Sequence, residues 1–239
     1  MTGRALQDLL AVQDLDSAGD QLRHRRAHLP EQAELEAIDA GSATARSDLA
    51  AVEAALTDLE GRQKATEAEL ATTEARAATI DRRLFGGEVS ASRDLQAMSA
   101  ELAQLKSRAS ALEDAVLGLL EEREPLDVRV AELHARLEEL AGRRSETEGR
   151  LRAAQAGADA ELDDLAHRRA DAAAGVPAGV LARYEQLRTR LGGVGAARLV
   201  GNRCGGCHLT LPAVELDRVR HLGDDEVYQC EQCSRILVP

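Results

Sequence analysis

Counted in sevens from Leu35, one row of positions reads Leu35, Ser42, Leu49, Leu56, Gln63, Leu70, Ala77 and Leu84, and a second row reads Ile38, Ala45, Val52, Leu59, Thr66, Thr73 and Ile80. A second run starts at Leu95: Leu95, Leu102, Ala109, Val116, Arg123, Val130, Leu137, Arg144, Leu151, Ala158 and Leu165. Its companion row is Met98, Leu105, Leu112, Leu119, Leu126, Leu133, Leu140, Thr147, Ala154 and Glu161. An apolar pair repeating every 3.5 residues is the pattern of helices that wind around each other in a left-handed supercoil. Between the runs, Gly86 and Gly87 lower the cost of reversing the chain. Ser90 or Ser92 can then cap the second helix, with Asp94 in its first turn. The pattern predicts two long helices folded back on each other.

The rows have interruptions. Pro30 lies just before the clean register, so Ala5 to Leu29 reads as a separate, kinked or offset helical segment. Pro125, beside Arg123, should kink the second helix or mark a register shift. Gln63, Thr66 and Thr73 make the first arm's core partly polar, as in an imperfect coiled coil or a loosened segment that receives a partner. Gly175, Val176 and Pro177 read as a helix break. One more amphipathic helix follows, Leu181 to Leu191, stopped by Gly192 and Gly193.

Composition sharpens this picture. Aromatics are 1% of the 239 residues, with no Trp, one Phe (Phe85) and two Tyr (Tyr184 and Tyr228). Such a chain cannot fill a thick core, but its 30% charged residues suit solvated helix faces. A net charge of −12 argues against a general nucleic-acid or anionic-membrane binder. No apolar run is long enough for a membrane span, and the N-terminal stretch has no export-signal pattern, so the expected location is the cytoplasm.

The remaining chemistry is in four cysteines. Cys204 and Cys207 are one C-x-x-C pair and Cys230 and Cys233 another, with short β-prone pieces around them: ARLV before the first pair, EVYQC and RILV around the second. Two such pairs complete a tetrahedron of thiolates, and in a reducing compartment they point to metal rather than disulfides. Cys204 to His208 also fits the haem-attachment pattern C-x-x-C-H. That reading would require export and would leave Cys230 and Cys233 without a role. A catalytic dithiol needs only one pair. An iron or iron–sulfur site has the same ligand number as zinc and stays open, with one structural Zn2+ as the main expectation. His208 is expected beside the site rather than in it. Four sulfurs leave no coordination position for water, so hydrolytic chemistry is not expected. No nucleophile–base pair or phosphate loop is present, and the expectation is no enzyme.

The fold class is therefore mainly α, a long antiparallel coiled-coil helical hairpin with a small C-terminal β zinc ribbon. Residues 1–175 form the hairpin, with its tip near 85–92 and breaks near 30 and 125. Residues 176–196 form a connecting helix and turn, and residues 197–239 form the ribbon.

The segments RRLFGGEVSASRDLQAMSAEL, LARYEQLR, GNRCGGCHLTLP and VYQCEQCSRILV resemble the landmark segments of bacterial C4-type zinc-ribbon proteins with an N-terminal coiled-coil hairpin, a family formerly held as a domain of unknown function. The resemblance spans essentially the whole chain and implies zinc at Cys204, Cys207, Cys230 and Cys233. Relatives in flagellated or secretion-competent bacteria act as adaptors for export components or for an alternative sigma factor, with RNA binding also attributed. This chain is Ala- and Arg-rich with few Lys, in the style of high-GC actinobacterial sequences. What carries over is the adaptor idea, not those particular partners.

The expected function is a non-enzymatic adaptor binding protein partners through the coiled coil, with a homodimer as one way to cover exposed stripes. The alternative is a nucleic-acid-binding regulator using the ribbon. Arg198, Arg203, Arg218, Arg220 and Arg235 would form its basic face, against Glu215, Asp217, Asp224, Asp225, Glu226 and Glu231. A third class is a thiol-redox or zinc-storage protein. The densest basic cluster, Arg23 to His28, reads as a solvated helix face or as a site for RNA or an acidic partner. Phe85 either plugs the tip or anchors a partner there. Tyr184 and Arg183 should pack the connecting helix against the ribbon or the hairpin base.

Overall fold

The computed structural model describes residues 2–87, 90–221 and 227–239. Five helices and four short strands follow in the order α1 (Thr2–Ala27), α2 (Pro30–Phe85), α3 (Ser92–Ala174), α4 (Ala178–Arg190), β1 (Ala196–Val200), β2 (Arg203–Cys204), α5 (Ala213–Arg220), β3 (Tyr228–Gln229) and β4 (Ile236–Val238). Long helices form a coiled-coil hairpin, and the strands form a small C-terminal region. Two compact units divide the chain, Leu35–Glu146 and Met1–Glu34 with Thr147–Pro239. This division differs from the expected 1–175, 176–196 and 197–239, because α1 packs with the C-terminal elements.

In the unit of residues 35–146, the positions counted from Leu35 and Leu95 turn inward. Ile38, Ala45, Leu59, Ile80, Leu102, Leu119, Leu133 and Leu140 are buried. Near the tip Ala77, Ile80 and Leu102 form one cluster with Leu84, Met98 and Leu105. The hydroxyls of Ser42, Thr66 and Thr73 are satisfied within their own helix. Ser42 Oγ donates to the Ile38 carbonyl at 2.9 Å, Thr66 to Arg62 at 3.0 Å and Thr73 to Glu69 at 2.9 Å. A hydroxyl bonded to the carbonyl four residues back costs little when buried, so a partly polar seam still closes. Charges flanking the seam pair across it: Arg144 with Asp39 at 2.9 Å, Arg123 with Glu60 at 3.4 Å, and Arg76 with Glu101. Such exposed pairs add little stability, but they favour the antiparallel alignment over slipped ones.

The expected break near residue 125 is not there. Helix α3 runs from Ser92 to Ala174 with Pro125 inside it. Proline removes one helical hydrogen bond and crowds the preceding turn. Pro125 is exposed, so water can reach the Glu121 carbonyl that loses its donor. Pairs on both sides of Pro125 keep the same alignment, so no register shift occurs there. Arg144, expected in the core row, is exposed instead. The expected break near residue 30 is present, since α1 ends at Ala27 and α2 begins at Pro30. At the tip, Gly87 has φ +74, and the Ala91 carbonyl, rather than a serine side chain, accepts the first bonds of α3 from Asp94 and Leu95. Phe85 is 78% exposed, so it does not plug the tip core. Glu88 and Val89, within the expected tip, lie outside the described residues.

In the other unit, α1 buries a wide face. Leu6, Leu9, Leu10 and Val12 pack with Val176, Val180, Tyr184, Leu187, Ala196, Ile236 and Val238. Along the last part of α3, half-buried positions fall at Leu151, Ala154, Gln155, Ala158, Leu162 and Leu165. Glu161, expected in the core row, is exposed and Leu162 faces inward instead, while Ala154, Ala158 and Leu165 keep their counted positions. The strands form one sheet in the order β2-β1-β4-β3, with β1 and β4 parallel and the outer pairs antiparallel. One face of β1 and β4 contributes to the α1–α4 core through Ala196, Ile236 and Val238, and the other closes a second core around the cysteines.

Candidate metal centre

Two loops of nearly identical backbone carry the cysteines. In the first, Cys204 N donates to the Leu209 carbonyl at 3.0 Å and His208 N to the Cys204 carbonyl at 2.8 Å. In the second, Cys230 N donates to the Arg235 carbonyl at 2.9 Å and Ser234 N to the Cys230 carbonyl at 2.7 Å. The residue after each second cysteine, His208 or Ser234, has positive φ (61 and 62). His is among the few side chains that adopt this left-handed conformation readily. That is the role of His208. Its ring is exposed and stands outside the group of ligating atoms, while its carbonyl accepts from Arg203 at 2.8 and 3.1 Å. The haem-like C-x-x-C-H string is thus one knuckle of a pair.

Gly206 is fixed by space. A β-carbon there would lie 2.5 Å from Arg235 Cδ and 3.2 Å from the Ala197 methyl. Its backbone N–H points at Cys204 Sγ, 3.3 Å away. Turned-in amides of this kind offset charge on a thiolate.

The four sulfurs of Cys204, Cys207, Cys230 and Cys233 all lie within 4.8 Å of one another. Cys204 and Cys233 are 3.8 Å apart, and Cys207 and Cys230 are 3.9 Å apart. A tetrahedral ion with zinc–sulfur bonds of about 2.3 Å requires sulfur separations of about 3.8 Å. The residues therefore fit one structural zinc in both number and spacing. Zinc would be held by all four sulfurs, and it would supply cross-linking charge rather than a site for water.

Without a metal, the thiols differ. Burial raises Cys204 above its ordinary range and pushes Cys230 up to about 12. Cys233 is also partly desolvated, but the backbone and side chain of Arg235 and the neighbouring Cys230 and Cys207 outweigh this and hold it at about 7. One thiolate is thus ready at neutral pH, while Cys204 and Cys230 must release protons as the metal binds.

Helix α1 holds the ribbon from the side through groups that the heptad count does not single out. Gln13 is 4% exposed. Its Oε1 accepts from Gly195 N at 2.7 Å and Ala196 N at 3.2 Å, and its Nε2 donates to the Gly193 carbonyl at 3.1 Å and Ser17 Oγ at 2.8 Å. These bonds fasten the turn at Gly192 and Gly193, both at positive φ, and the start of β1. Next to it, Tyr184 is fully buried and its hydroxyl donates to Asp16 Oδ2 at 2.8 Å. Burial, with the Asp16 carboxylate, raises the phenol well above its usual range and keeps it a donor. Arg169 donates to Asp16 at 3.0 Å and to Glu185 at 2.9 Å, and Arg188 pairs with Asp20. Arg183 donates to Gln229 at 3.4 Å, joining α4 to β3. The signal for Gln13 in the sequence is only a polar residue amid Leu9, Leu10 and Val12.

The basic candidates are partly consumed by such contacts. Arg203 is held by the His208 carbonyl and Arg235 by the Val194 carbonyl, which leaves Arg198, Arg218 and Arg220 exposed on the ribbon. In the Arg23–His28 cluster, Arg23 pairs with Asp20 at 2.8 Å and Arg26 with Asp159 at 2.6 Å. The expected acids Asp224, Asp225 and Glu226 lie outside the described residues. Helix α5, within the spacer between the two knuckles, is an element the sequence reading did not anticipate; its Val219 is fully buried in the cysteine core. Among the described residues, no helix is long and apolar enough to cross a membrane.

Comparison with known proteins agrees with this architecture. Residues 12–192 match the CT398-like coiled coil hairpin domain, and residues 203–237 match the C4-type zinc ribbon domain. The chain is 32% identical to the uncharacterized protein Rv2229c of Mycobacterium tuberculosis, over 97% of this chain and 94% of that protein. A structure from Mycobacterium smegmatis superposes with a TM-score of 0.83 at 28% identity, covering 98% of this chain and 97% of that one. CT398 from Chlamydia trachomatis shares the fold at a TM-score of 0.69 and 22% identity, covering 98% and 96%. With four clustered sulfurs and a family match over most of its length, the chain belongs to the CT398-like coiled coil hairpin family and carries a C4-type zinc ribbon.

Proposed function

We propose that this protein is a non-enzymatic cytoplasmic adaptor that binds partner proteins along its coiled-coil hairpin, with the zinc ribbon as a structural module. The observation that supports this most is apolar surface on the unit of residues 35–146. Phe85, Leu117, Leu120 and Val128 are 78%, 58%, 43% and 55% exposed, in a chain whose hairpin core does not take them. Exposed aromatic and aliphatic side chains on a charged helical surface are the residues around which protein contacts form. The four-thiolate zinc supports the absence of catalysis, since no ligand position is open to a substrate or to water.

The test is cross-linked affinity capture with the wild-type protein and two variants, Phe85→Ser and the triple change Leu117→Ser, Leu120→Ser, Val128→Ser. All three replaced groups of the triple variant are solvent-facing, so helix content should hold. Loss of a specific partner in one variant supports the proposal, and analytical ultracentrifugation tells whether that partner is a second copy. An identical capture profile for all three proteins refutes it. Formation of an RNA or DNA complex at low salt that weakens steeply as salt rises would favour the nucleic-acid reading instead.

A further inference from the structure

We propose that His24 and His28 form a second metal site, a two-imidazole clamp near the C-terminal end of α1 for a late first-row divalent cation such as Ni2+ or Cu2+. His24 lies in the last turn of α1 and His28 in the turn that follows, and these two exposed rings lie with centroids 4.3 Å apart and planes inclined by 34°. His28 Nδ1 lies 2.8 Å from the His24 carbonyl oxygen. A carbonyl only accepts, so the proton sits on Nδ1 and the Nε2 lone pair is free. A ring nitrogen bonded to a backbone carbonyl while the other nitrogen faces solvent is the arrangement that orients a metal-binding imidazole.

Two of the three neighbouring arginines, Arg23 and Arg26, are paired with carboxylates, and Arg25 is exposed to solvent. Asp20 stands 2.8 Å from Arg23, and Asp159 stands 2.6 Å from Arg26. The end of a helix with its free carbonyls carries partial negative charge, which favours a cation within the last turn. Two imidazoles with water in the remaining positions suit Ni2+, Cu2+ and Zn2+, whereas Mg2+ and Ca2+ demand oxygen ligands. The pair does not belong to the thiolate cluster, whose members are all cysteines.

A purely structural role makes a different prediction. The His28–carbonyl bond alone would be a helix-end contact that does not need the ring of His24. The experiment uses the full-length, zinc-loaded protein titrated with NiCl2 by calorimetry, with zinc content measured afterwards. One Ni2+ should bind beyond the zinc, and His24→Ala and His28→Ala should each weaken it at least about tenfold. His134→Ala, at an exposed position in the other unit, should leave it unchanged. Ni2+ uptake that survives His24→Ala, or that is matched by loss of zinc, overturns the proposal.

Discussion

Replacing Gln13 by leucine keeps most of the side chain's volume and removes every polar contact it makes with the ribbon. In the native protein its Oε1 is the acceptor for Gly195 N and Ala196 N, both in buried residues. Leucine leaves those two donors without a partner. Each buried orphan costs about 1–3 kcal/mol, so the pair should cost about 2–6 kcal/mol, somewhat offset by the added apolar packing. Gln13→Glu keeps the acceptor but sets a second oxygen against the Gly193 carbonyl, so it should lose less for the two amides and gain repulsion at Gly193. Because the chain has two compact units, a single melting temperature is a poor measure. Amide exchange at Gly195 and Ala196 is the better one. A loss of 2 kcal/mol corresponds to about 30-fold faster exchange at both sites. Unchanged exchange in Gln13→Leu would refute the view that α1 clamps the ribbon through this amide.

Cys204→Ser or Cys230→Ser should abolish stoichiometric zinc, measured by elemental analysis, and loosen the ribbon, while the helical signal of residues 35–146 persists; retained zinc would contradict a four-sulfur site. Zinc affinity should fall as pH falls, because Cys204 and Cys230 hold their protons in the metal-free ribbon and must release them on binding. Above about pH 7 Cys233 is already ionised, so chelator competition should show a steeper pH dependence below pH 7 than above it. Pro125→Ala should stabilise the unit of residues 35–146 by up to about 3 kcal/mol, read as a higher denaturant midpoint for its helix signal. Leu140→Ala, at a 3% exposed seam position, should destabilise the same unit by about 2–5 kcal/mol.

The seam rows and the four cysteines were legible in the chain, and the rows failed at particular places. Arg144 and Glu161 occupy counted positions yet face solvent. A long charged side chain at a seam position can turn out to water, and beside Glu161 the neighbouring Leu162 fills the inward position instead. Pro125 is a breaker by propensity, but a helix held on both sides by paired contacts absorbs one lost hydrogen bond. Helix α5 was missed because eight residues carry too short a period to stand out.

Periodicity and spacing are local properties. A 3.5-residue repeat states which side chains must face a neighbour, and two C-x-x-C pairs state that four sulfurs can meet, so the hairpin and the metal centre follow from order along the chain. Neither names the neighbour for α1. Gln13 meets Gly195 across 182 positions, and Asp16 meets Tyr184 across 168. Such contacts depend on buried amides and a carboxylate finding partners once the apolar faces of α1, α4 and the sheet have closed. Only the folded arrangement decides them, because any of several polar residues along α1 could have made those bonds.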